Sequence, residues 1–112
     1  MNLHKRYIET DKPNQYIKFT IHFNKDTYHW ATSQSKQKGY CVTATPVERG
    51  SNFEVSGAFT GFYDIIYPVE RQSKKRLETA IRMLDDKMSH YIQHFIDKGF
   101  KFPVNQFLNH SH

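Results

Sequence analysis

One cysteine, four prolines and five glycines are all that 112 residues hold of these three types. Cys41, being alone, excludes an internal disulfide and a cysteine-built zinc site, and it fits a reducing compartment. No run is apolar over the length needed to cross a bilayer. Residues 1–16 carry no apolar core of the signal-peptide kind, so a soluble, cytoplasmic protein is expected, with no membrane partner. Catalytic signatures are missing too. There is no phosphate-cradling glycine loop, no GxGxxG and no GxSxG elbow. Asp64, Glu70, Asp85 and Asp86 show no paired-carboxylate arrangement, and Cys41 has no glycine elbow or helix start to activate it. An enzyme is therefore not expected, and no cofactor is implied.

What is present is aromatic and basic. Nine Phe, seven Tyr and one Trp offset a hydrophobic content of only 38%. Each ring buries a large area, so one compact core suits a single domain of this length. Sixteen basic against eleven acidic residues leave a net charge of +5 and a pI near 9.4. That balance favours contact with nucleic acid, an anionic surface or an acidic protein, and it argues against a DNA-mimicking inhibitor. A solvated surface without an anionic partner carries such a charge equally well.

The pattern along the chain predicts an α+β fold: a four-stranded antiparallel sheet of two hairpins, with one long C-terminal helix packed on one face. Residues 1–15 are polar and read as an N-terminal arm, and residues 16–67 as the sheet. In residues 16–23, Ile17, Phe19, Ile21 and Phe23 alternate with Tyr16, Lys18, Thr20 and His22, the period of a half-buried strand. A turn at residues 24–27 would set Phe23 against Tyr28 and His22 against His29. Residues 32–39 form a polar loop, and residues 40–49 the third strand. Pro46 suggests an edge or bulge there. Gly50 and Ser51 turn the chain into a fourth strand, residues 52–67, with Val42 opposite Phe59. Phe53, Val55, Phe59, Tyr63 and Ile65 share one parity in it.

Residues 71–98 read as a single amphipathic helix, with Ser73 or a neighbour as N-cap and Gly99 as its stop. Its stripe is Leu77, Ile81, Leu84, Met88, Tyr91 and Phe95. The stripe also repeats like a coiled-coil seam, which suggests a homodimer, although its width fits sheet packing better. Residues 100–108 are again apolar and should dock. In outline, four strands and then a long helix resemble small single-strand-binding transcription cofactors that dimerise through their helix. No motif of this chain matches that group, so no residue role is carried over.

Two surfaces attract a functional reading. Arg71, Lys74, Lys75 and Arg76 crowd the helix start, where positive charge opposes the macrodipole and free N–H groups can hold an anion. In projection Arg76, Lys87, His90 and His94 share one flank with Met83, while Glu78, Asp85 and Asp97 share the other. A basic flank of this kind can track a phosphate backbone. With Arg82, and with Lys36 and Lys38 in the loop, these residues are the expected nucleic-acid contacts of a small non-enzymatic accessory protein. The second surface is the uncovered sheet face, where Tyr16, Lys18, His22, His29 and Phe62 would meet a partner. It supports the alternative: a protein-interaction module, inhibitor or adaptor, docking by that face or an edge strand. His90 and His94 lie four residues apart but lack the Glu of HExxH and any further ligand, so no metal site is expected.

Overall fold

The computed structural model describes residues 2–24, 38–56 and 61–103. Among these described residues five strands and two helices follow in chain order: β1 His4–Glu9, β2 Gln15–Asn24, β3 Gly39–Arg49, β4 Glu54–Ser56, β5 Phe62–Pro68, α1 Lys74–Asp86 and α2 Met88–Asp97. All strand pairings are antiparallel. β1, β2 and β3 lie side by side, and both β4 and β5 pair with the far side of β3.

The expected arm is instead an edge strand. β1 pairs with β2 from His4 opposite Ile21 to Glu9 opposite Tyr16. The turn between them passes through Asn14 at φ 63°, a left-handed position that Asn tolerates. β2 then pairs with β3, so Phe23 faces Tyr40 and His22 faces Cys41. Their expected partners, Tyr28 and His29, lie outside the described residues, as do Trp30 and Phe59.

The expected fourth strand is two strands, and the break changes which side chains face the core. Arg49 pairs with Glu54 in β4, but Ala44 pairs with Phe62 and Val42 with Asp64 in β5. Between these ladders the register moves by three residues. An odd shift inverts the alternation, because side chains have a period of two. Phe62 therefore sits on the helix side of the sheet, packed on Tyr91 and Phe95, and not on the uncovered face. Phe53 and Val55, expected in the core, are 58% and 57% exposed. Pro46, which has no amide to donate, falls where β3 has left β5 and not yet met β4, so neither of those ladders loses a bond.

The helix is likewise in two parts. Lys87, at φ −95° and ψ 1°, separates α1 from α2. Hydrogen bonds still cross the break, from the Lys87 amide to Met83 (3.1 Å) and from the Tyr91 amide to Lys87 (3.0 Å). No proline or glycine stands there, so the local sequence does not announce it. Ala80 and Leu84 before the break, and Met88, Tyr91, Ile92 and Phe95 beyond it, are all buried. They share one core with Ile8, Ile17, Phe19, Ile21, Tyr40, Val42, Ala44 and Ile66 of the sheet. Of the stripe, Leu84, Met88, Tyr91 and Phe95 are buried against the chain's own sheet, and Leu77 and Ile81 are half-buried beside it. Past α2, Phe100 and Phe102 pack on the same core, and Lys101 accepts the Asp11 amide at 2.9 Å. No helix is long and apolar enough to cross a membrane among the described residues.

Candidate functional site

α1 lies over the sheet with its two flanks above different edges. On one flank Asp85 is ion-paired with Arg6 of edge strand β1. On the other, Tyr67 of edge strand β5 meets Arg76, with Lys75, Thr79 and Ser73, around a depression of about 340 Å³. Further along β5, Phe62 meets His94 edge-on at 4.9 Å. The charge asymmetry of α1 therefore maps onto the sheet, with Asp85 over β1 and Arg76 over β5, whereas Asp97 falls by helical spacing on the outward side and not on the flank of Glu78 and Asp85. Lys74, four residues before Glu78, belongs by helical spacing to the acidic side. Lys75 and Arg82 share the outward ridge with Asp86, beside the flank that carries Arg76 and Lys87.

The helix start holds against its own charge because it is capped by Ser73 and tied back to the preceding turn. No acidic residue occupies the first turn of α1. Ser73 Oγ instead accepts the Arg76 amide at 3.1 Å, and the Arg76 guanidinium reaches the Arg71 carbonyl at 3.4 Å. Arg71, Lys74, Lys75, Arg76, Arg82 and Lys87 are all exposed, and none makes an ion pair among the described residues. Lys38 differs. It lies 3.4 Å from Glu70 and is partly neutralised. Lys36 lies outside the described residues.

The uncovered face does not offer one continuous interface. Near one end Glu54 gathers its neighbours: the Tyr7 hydroxyl and the Lys18 ammonium each donate to it at 2.6 Å, and Arg49 Nε lies 3.6 Å away. The Arg49 guanidinium stacks 4.0 Å from the Tyr7 ring centre, and Tyr16 meets Tyr7 edge-on. These donors, Lys18 first, hold the Glu54 carboxyl below its ordinary range, and Glu54 in turn raises Lys18 and Tyr7. The cations there already have a carboxylate. Near the other end, Asn24 and the Tyr63 hydroxyl donate to the Cys41 sulfur at 2.9 and 3.0 Å, and His22 lies against Tyr63. Burial lowers His22 and raises the Cys41 thiol. Of the residues expected on this face, Tyr16 and Lys18 join the first cluster and His22 the second. Phe62 is on the opposite face, and His29 is outside the described residues.

Sequence reasoning passed over Tyr7, Arg49, Asp64 and Tyr91 as site residues. Tyr7 needed β1 to be read as a strand. Asp64 did leave a signal: a lone carboxylate inside the apolar run FYDIIYP, where an unpaired charge is costly. It accepts the Tyr91 hydroxyl at 2.7 Å; burial first, and then this bond, raise the Tyr91 phenol. Phe62, Tyr63, Asp64, His90, Tyr91 and His94 surround a cavity of about 260 Å³. No group of three or more metal-ligating side chains converges among the described residues. No protein-family model matches the chain, and neither a curated protein nor a solved structure does.

Proposed function

We propose that this chain is a small non-enzymatic nucleic-acid-binding accessory protein that contacts phosphates along the outward ridge and β5-side flank of α1. One observation carries the reading. Among the candidate cations, those of the helix are exposed and without a carboxylate partner among the described residues, whereas Lys18 and Lys38 are paired. Lys75, Arg76, Arg82 and Lys87 form the contact set, with Arg71 and Lys74 at its head. Unpaired surface cations lose little on meeting a phosphate and release its counterions.

Fluorescence anisotropy with labelled single- and double-stranded DNA and RNA tests this between about 50 mM and about 200 mM salt. The logarithm of affinity should fall with the logarithm of salt, with a slope for four phosphates of about −2.8 on single strands and about −3.6 on duplex DNA. Lys75→Glu with Arg82→Glu should weaken binding to every sequence and flatten that slope. Absence of binding to any of these nucleic acids at the lowest salt rejects the reading.

A second reading, a protein-interaction module docking by its open face or an edge strand, is favoured by Phe53 and Val55, more than half exposed at edge strand β4. It predicts a defined protein partner whose binding ignores salt and helix charge reversal, and is lost with Phe53→Asp plus Val55→Asp.

A further inference from the structure

The cavity between β5 and α2 opens on the same flank as Arg76 and Lys87. Three features define it. Its walls are rings: Phe62 lies 5.0 Å from Tyr91 and 4.9 Å from His94, and His90 lies beside Tyr91. It holds one carboxylate, Asp64, which is half-buried and accepts only the Tyr91 hydroxyl, with no ion pair among the described residues. Its volume, about 260 Å³, is just under the lower end of drug-sized sites, about 300 Å³.

A carboxylate among rings can take an organic cation or a ring bearing N–H donors. The surroundings choose between them. The chain carries +5, and Lys87 stands one helical turn before His90 at the cavity, which disfavours a free cation. A neutral heterocycle tied to a phosphate chain satisfies both the carboxylate inside and the cations outside. Among the common bases only guanine presents two adjacent donors, N1–H and N2–H, to match the two oxygens of a carboxylate. Adenine and cytosine set an acceptor beside their one amino donor, and uracil and thymine flank their N–H with carbonyls.

We propose that this cavity takes one unstacked guanine of a single strand, with Asp64 accepting from its Watson–Crick edge and Phe62 and His94 against the ring. The proposal rests on the nucleic-acid reading for its phosphate contacts, though the cavity can be tested without them.

The experiment compares wild type and Asp64→Asn on a labelled dT 12-mer and on the same strand with one central dG. Guanosine, which has no phosphate, is titrated separately into isotope-labelled wild type. The expected result is roughly tenfold tighter binding of the dG strand by wild type. That preference should be lost in Asp64→Asn, with the salt slope unchanged. Guanosine should shift resonances of Phe62, Asp64, Tyr91 and His94. Equal affinity for both strands, with no guanosine shifts, overturns the cavity proposal and leaves the basic flank standing. Guanosine shifts at the cavity without binding of either strand support the guanine site and sink the phosphate-tracking reading. Should Asp64→Asn fail to fold, the wild-type titration decides alone: shifts confined to the cavity support the proposal, and their absence rejects it.

Discussion

The hydroxyl of Tyr40, in the third strand, accepts the Ser73 amide at 3.0 Å and donates to the Ser73 carbonyl oxygen at 3.1 Å. Its ring is fully buried, stacked 5.9 Å from Tyr67 and edge-on to Phe23 at 5.1 Å. One side chain thus ties the N-cap of α1 to the sheet. A first turn with Lys74, Lys75 and Arg76 opposes the macrodipole, and these bonds offset that conflict.

Tyr40→Phe keeps the ring packing and removes both bonds, leaving two polar groups of Ser73 without this partner. The expected cost is about 1–3 kcal/mol, and Ser73→Ala should cost about 1 kcal/mol through the lost side-chain cap. Because both changes act on one cap, their effects should fall short of additive in a double-mutant cycle. Denaturant titration measures all three variants. Strict additivity would mean that Tyr40 and Ser73 do not act as one device.

Gly61 marks the register break between β4 and β5. A Cβ there would lie 2.5 Å from the Ala44 carbonyl oxygen, a backbone atom of the central ladder. Gly61→Ala must displace β5 and with it Phe62, so a loss of about 1–3 kcal/mol is expected. Near-ultraviolet dichroism should change as the Phe62, Tyr91 and Phe95 cluster shifts. Gly99→Ala is the control: its Cβ meets open space, and φ of +98° adds local strain of about 1 kcal/mol. An undisturbed aromatic signal in Gly61→Ala would show that this contact does not fix the strand.

These two positions also show what the sequence could and could not convey. β2 was legible because five consecutive residues, Ile17 to Ile21, hold to a strict alternation, and the helix because its apolar stripe runs unbroken from Leu77 to Phe95. β1 was not, since an edge strand with one buried side chain, Ile8, shows almost no period. The parity of β5 depends on how many residues are left out of the ladder before it, which no local pattern records. That shift sets Phe62 on the helix face and brings Asp64 to Tyr91, a meeting the local pattern does not convey. The exposure of Lys75, Arg76, Arg82 and Lys87 was legible, because long charged side chains default to solvent. Which of the cations would be neutralised was not, because Lys18 and Glu54 meet only through strands that are distant in sequence.

Glu54 gives a pH-dependent prediction. Donation from Lys18 and Tyr7 depresses its folded-state value below the ordinary 4.5. The stability it contributes is therefore fully present above 4.5 and is lost as pH falls through the lower folded value. Glu54→Gln should be less stable than wild type at neutral pH, by on the order of 1 kcal/mol for a partly exposed pair. The gap should narrow below pH 4.5 and shrink in high salt. Thermal melts across acidic and neutral pH supply the comparison. A gap constant with pH would assign the effect to shape and not to charge.

Cys41 should be chemically silent in the folded protein. It is fully buried, with Asn24 and Tyr63 donating to its sulfur, and burial raises the thiol above its ordinary 9.0. Two independent barriers follow: little thiolate at neutral pH, and no path for a reagent. Labelling by a disulfide reagent must then wait for an opening of the structure, and its rate should follow the population of open molecules. Tyr40→Phe, which loosens the helix start, should speed labelling in proportion to its measured loss of stability if the opening is global. If the opening is local to β3 and β5, Gly61→Ala should speed it beyond its own stability loss. Tyr63→Phe removes one donor but keeps the ring that shields the sulfur, so labelling should stay slow. Reaction of native wild type as fast as that of a free thiol would contradict the burial of Cys41, and with it the packing of Tyr63 over β3.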